Sequence, residues 1–182
     1  MGLKEIGMQK SEIVNTQGLA RGVGVALLAT IVFGVLGAMS VAKGIDINLS
    51  GDVVTTAQNM LDAETQLRAK AYTSLFLFGL GAFVSVGMYM LLRTTNRVIA
   101  IWSLYVSLAA ATLSLLGAVF AMNAAQIAGN AAYGTLTDGA GKVMLSGLQA
   151  TSDYTSFHLG LVLSSVANVG FFYLFWKSNL IP

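Results

Sequence analysis

Four stretches of this chain, about 19–42, 71–92, 98–125 and 154–176, are apolar for more than twenty residues and almost free of charge. Crossing about 30 Å of hydrocarbon as a helix takes about 20 such residues at 1.5 Å each. Inside a bilayer, backbone N–H and C=O groups must be satisfied without water, so each stretch is expected to be a helix. Composition agrees: the 182 residues are 55% hydrophobic and only 10% charged, whereas a soluble domain carries about 25% charged residues. The expected fold is all-α: a polytopic membrane protein with four transmembrane helices and short amphipathic helices in the outer loops. A single membrane domain is expected over residues 1–182. Ser40-Val41-Ala42 has the small-residue look of a cleavage site, but the apolar run before it is longer than a signal-peptide core, so a retained span is expected.

Only RTTNR, residues 93–97, separates the second and third stretches, which forces a tight antiparallel hairpin. The other two connections, 43–70 and 126–153, are each 28 residues long. In the first, Ser50-Gly51-Asp52 is a helix start with a cap and an acid in the first turn. Val53, Val54, Ala57, Met60, Leu61 and Leu67 then recur at helical spacing, which predicts an amphipathic helix. The second connection is rich in Gly, Ala and Thr, and only its 142–150 portion is expected to form a short helix. Lys4, Lys10, Arg21, Arg93, Arg97 and Lys177 fall on one side of the four spans, against Lys43, Arg68, Lys70 and Lys142 on the other. By the positive-inside rule both termini are expected to be cytoplasmic, in a bacterial inner membrane.

Several chemistries lose their residues at this stage. With no cysteine and one histidine, a single copy cannot build a thiolate site, a Cys-ligated cluster or a two-His metal centre. Neither a cofactor nor a metal is expected. The basic residues are scattered over the loops, so no nucleic acid is expected as a partner. DGAGKV at 138–143 fails as a phosphate loop, because Leu136 stands where its first Gly is needed and Val143 where Ser or Thr is needed. The only charged residue placed well inside a predicted span is Arg21, near an end where it can snorkel. That argues against proton relays and ion-coupled transport.

The polar and small residues inside the spans remain. Gly22, Ala26, Thr30, Gly34 and Ala38 form an i, i+4 stripe of the kind that lets membrane helices approach closely, and Gly160, Ser164 and Asn168 continue Ser156 in the same way. These are the expected helix-packing residues. Asn168 lies near midplane, where an unpaired amide costs several kcal/mol, so it is expected to face Ser107, Thr112 or Ser114 on a neighbouring helix. His158 lies near the outer interface and is expected to bond a loop carbonyl; as a catalytic base it would need Asp153, which at i, i+5 sits on another side of the helix. If a small molecule binds, His158, Asn168, Ser164 and Ser107 are the candidate contacts. Tyr173, Trp176 and Lys177 read as a membrane anchor.

ARGVGVALLATIVFGVLG, GDVVTTAQNMLDAETQLR, YMLLRTTNRVIAIW and FHLGLVLSSVANVGFFYLFWKSNLIP together resemble, in order and spacing, a widespread bacterial family of multi-spanning membrane proteins known only as a domain of unknown function. The matching positions are Arg21, Gly51, Asp52, Arg93, Asn96, Arg97, His158, Ser178 and Pro182. The resemblance carries no activity with it. It implies about two further helices beyond the Ile-Pro, which this sequence lacks, and so a face to be covered by another membrane protein or a second copy. The expectation from sequence is therefore a non-catalytic accessory, assembly or stabilising subunit of a larger bacterial membrane complex. The alternative is a protein that binds or transports a lipid, quinone or pigment.

Overall fold

The computed structural model describes residues 3–178; Pro182 of the terminal motif, the side chains before Thr16 and that of Ser50 lie outside the description. The chain runs as α1 (Leu3–Leu36), continued by a π-helical turn (Gly37–Val41), then α2 (Ile47–Ser50), α3 (Val53–Asp62), α4 (Glu64–Leu92), α5 (Arg97–Gly129), α6 (Ala131–Leu136) and α7 (Gly139–Lys177). Four segments are long and apolar enough to span a membrane: Thr16–Val41, Glu64–Leu92, Arg97–Gly129 and Gly139–Lys177. The protein is an all-α polytopic membrane protein whose spans contact lipid.

Short polar side chains set the helix starts. Asp52 accepts from the N–H groups of Val54 and Thr55 at 3.2 and 3.1 Å, directly after Gly51, whose φ of 69° lies in the left-handed region that glycine tolerates. Asn96 does the same for α5 through Val98 and Ile99, which makes the 93–97 hairpin as tight as expected. Asp138 caps α7 through Gly141 N–H. Here the expectation for the second long connection needs correction. Residues 142–150 are not a separate short helix but the opening of a 39-residue α7. Gly141 and Gly147 do not break it, because the Asp138 cap satisfies the first turn and Gly147 seats against Ala57 and Val53 of α3.

Charged residues mark a slab across these helices. From Lys70 to Arg93 is 23 residues and from Asp153 to Lys177 is 24, distances of about 34–36 Å along a helix. Both are close to one hydrocarbon thickness. Beyond the Lys70–Asp153 level, α4, α5 and α7 continue into a head that the amphipathic α3 covers. Its core is Ile45, Met60, Leu67, Ala71, Ala121, Ala124, Ala125 and Ala150. A second cluster, Leu92, Ala100, Phe171 and Leu174, closes the arginine end.

Between these clusters the helices touch through small residues. On the first span Ala26 is buried and Gly22, Thr30, Gly34 and Ala38 are half-buried, while Val25, Leu28, Ile31, Val32 and Val35 face outward. Val23 of α1 lies over Gly87 of α4, and Phe33 meets Phe76 edge to face at 5.3 Å. On α7, Ser156 and Gly160 are buried and Ser164 half-buried. A Cβ on Gly160 would stand 2.7 Å from Ser114 Oγ and 3.1 Å from the Ala110 carbonyl oxygen of α5. Gly160→Val is therefore expected to cost about 1–3 kcal/mol by overpacking. Ser103 Oγ is buried with no hydrogen-bond partner among the described residues, so Ser103→Ala should leave stability unchanged or raise it. Thermostability of the detergent-purified variants by size-exclusion chromatography after heating checks both.

Candidate functional site

At the boundary between slab and head, Lys70 of α4 donates from Nζ to Asp46 Oδ2 at 2.8 Å and to Asp153 Oδ2 of α7 at 2.6 Å. All three side chains are largely buried, with exposures of 12, 16 and 18%. Gly117 of α5 makes the arrangement possible, because a Cβ there would overlap an Asp153 carboxylate oxygen. Asp46 also accepts from the backbone N–H and side-chain amide of Asn48 at 2.9 and 2.8 Å. Burial by itself would raise the Asp46 carboxyl, but the Lys70 charge and the hydrogen bonds outweigh it and hold the group below its ordinary value of 3.8. The loop that delivers Asp46 is pinned to the head: Gln66 Nε2 donates to the carbonyls of Val41 and Lys43, and Asn59 Nδ2 to that of Gly44.

Beside this trio lies a cleft of about 390 Å³ between the π turn of α1, α2, α4 and α7. Asp46, Asn48, Lys70 and Asp153 line its polar end, and Gly34, Gly37, Ala38, Leu77 and Phe157 its apolar end. The volume is that of a small-molecule site. Sequence reasoning missed this trio because each charge falls just outside an apolar window. The matched spacing of Lys70 and Asp153 from the basic ends of their helices is the signal that would have paired them.

The four residues named from sequence as small-molecule contacts do not share one chamber. Ser107 and Ser164 line a smaller cavity of about 170 Å³ with Gly81, Ser85 and Gly160, where the Ser85 and Ser107 hydroxyls lie 2.6 Å apart. His158 and Asn168 are exposed on the outer face of α7. His158 Nδ1 pairs with the Tyr154 carbonyl one turn back at 2.8 Å, and not with a loop carbonyl, while its ring lies against that of Tyr154, tilted by 39° with centroids 4.1 Å apart. Asp153 is engaged by Lys70, so it does not orient that ring.

Asn168 was expected against Ser107, Thr112 or Ser114, and the structure places it elsewhere. Ser107 pairs with Ser85, while Thr112 and Ser114 donate to their own helix at Leu108 and Ala110. The buried face of α7 runs through Ser156, Gly160, Ala167 and Gly170, and Asn168, one residue past Ala167, is turned about 100° away from it. It lies about 22 Å from the Asp153 level and about 13 Å from Lys177, well inside the slab. Among the described residues its amide has no hydrogen-bond partner. His158, Leu161, Ser165, Asn168 and Phe172, all exposed, recur at steps of three and four along this face.

The trio predicts an acid limb in stability. A carboxylate whose folded pKa is depressed stabilises the fold above its unfolded value, and that contribution is lost as pH falls through the folded value. The Asp46 tether is thus complete at neutral pH and weakens only below about pH 4. Asp46→Asn should flatten this limb in thermal melts between pH 3 and 7. Lys70→Met, which leaves two carboxylates facing each other, should be the more damaging change at pH 7, by about 2–3 kcal/mol.

Comparison with known proteins finds no curated protein and no solved structure similar to this chain. One family model matches, described as a domain of unknown function, DUF4386, and it aligns with residues 23–182. That range takes in all four spans apart from the start of the first, the capped α3, the 93–97 hairpin, the ion trio and the outer stripe of α7, and the chain belongs to this uncharacterised family.

Proposed function

We propose that the protein is a non-catalytic accessory or assembly subunit of a larger complex in the bacterial cytoplasmic membrane, with both termini cytoplasmic, and that the outer face of α7 is where it meets its partner. Asn168 carries this reading. A primary amide left facing hydrocarbon costs several kcal/mol, and a neighbouring membrane helix offering a carbonyl, amide or hydroxyl removes that cost. The spacing of His158, Leu161, Ser165, Asn168 and Phe172 suits a helix–helix seam, and a single asparagine in such a seam acts mainly on register and partner choice. The excess of Lys and Arg on the terminal side of the spans supports the orientation.

The chain has no cysteine, so a cysteine introduced at Ser165 is a clean reporter. Cross-linking Ser165→Cys in native membranes should give one discrete larger species, which mass spectrometry identifies as a second copy or a different membrane protein. Asn168→Leu should reduce the recovered complex about threefold, the size of an average interhelical hydrogen bond, while Asn168→Gln retains most of it. A lone monomer with no cross-linked species, from membranes that were never exposed to detergent, would sink the proposal.

A further inference from the structure

Ser114 of α5 lines both the cleft beside the ion trio and the smaller cavity in which Ser85 and Ser107 meet. The cleft begins at the Lys70–Asp153 boundary. The cavity reaches Ser107, which lies about 15 Å along α5 from Gly117, the residue against Asp153. Together the two lead to the middle of the slab. Beyond Ser107 the cluster of Leu92, Ala100, Phe171 and Leu174 closes the arginine end, so the path is blind.

The inner cavity has no charged residue on its walls and a surplus of hydrogen-bond acceptors. The Ser85 hydroxyl donates to the Gly81 carbonyl at 2.8 Å, so in its 2.6 Å contact with Ser107 it is Ser107 that donates. Ser114 spends its proton on the Ala110 carbonyl. All three hydroxyls keep acceptor capacity, and Ser164 of α7, half-buried on the same wall, makes no hydrogen bond among the described residues. An all-apolar cavity of this size stays dry, whereas several hydroxyls give a water molecule the two to four partners it needs. A cation would find acceptors here but no countercharge to offset its lost hydration. The ligand that fits is a small neutral donor.

We infer that the serine cavity holds water drawn from the Lys70–Asp153 boundary through the cleft, which makes a blind hydrated inlet to the middle of the slab. Its water molecules donate to Ser85, Ser107 and Ser114, and both donate to and accept from Ser164. The ion trio keeps the entrance polar without giving up any of its own bonds. The inference stands apart from the α7 seam, since none of these four hydroxyls lies on that stripe.

Because the chain has no native cysteine, single-cysteine variants report water directly. Iodoacetamide, a small neutral reagent, alkylates the thiolate, and a thiol facing hydrocarbon stays protonated. In nanodiscs holding the full chain, Ser164→Cys should be alkylated at least about tenfold faster than Val162→Cys, which stands at nearly the same depth on the exposed face of α7. Adding Ser114→Leu, which plugs the junction of the two cavities, should slow Ser164→Cys about tenfold, while Leu49→Cys at the cleft keeps its rate. If Ser114→Leu does not fold, Ala111→Leu, on the wall of the inner cavity alone, takes its place. Equal rates for Ser164→Cys and Val162→Cys, or a Ser164→Cys rate that neither plug changes, would overturn the inference.

Discussion

Three separate parts of the chain meet at one ammonium group. Lys70 reaches from α4 to a carboxylate in the loop after α1 and to another on α7. At that depth a lone lysine would be expensive, and two facing aspartates equally so; together they are mutually satisfied, and neither α1 nor α7 can shift along α4 without separating charges in a poorly hydrated place. The first span depends on this more than the others do. It packs chiefly on α4, through Val23, Phe33 and the small residues of its inner stripe, and most of its large side chains face outward. The Asp46 contact and the glutamine and asparagine bonds to the following loop fix where it ends.

Away from that point the spans are joined mainly by proximity, with few polar bonds between helices. Most hydroxyls within the slab turn back onto their own helix: Thr30, Ser74, Ser85, Thr112, Ser114 and Ser165 each donate to the carbonyl four residues earlier. Serine and threonine have the short reach this needs, so they can face lipid or a neighbour at little cost. The Ser85–Ser107 pair joins α4 to α5 directly. The Asn168 amide makes no such bond among the described residues. This is why the serines and threonines of the spans say little about partners, and Asn168 says more.

The legibility of the sequence divides along the same physical line. Span number, the tight 93–97 hairpin and the Asp52-capped α3 follow from length and capping, which are local properties. The extension of α7 back to Gly139 did not, because Gly141 and Gly147 read as loop residues until Ala57 and Val53 of α3 are seen packed against one of them. The ion trio was invisible for a different reason. Lys70 and Asp153 are 83 positions apart, and each alone looks like an ordinary charge at a helix boundary.

The facing of Asn168 does not follow from a rule carried over from soluble proteins. In water, a polar residue turned outward is satisfied by solvent, and an apolar face identifies the core. In lipid the surroundings are as apolar as the interior, so hydrophobicity does not distinguish the two, and only size and polarity carry directional information. On α7 these two signals separate. Gly160, Ala167 and Gly170 point to α5, while Ser165 and Asn168 point about 100° or more away from it. The small residues of α7 and its amide therefore select different faces, and α5 covers the first of them.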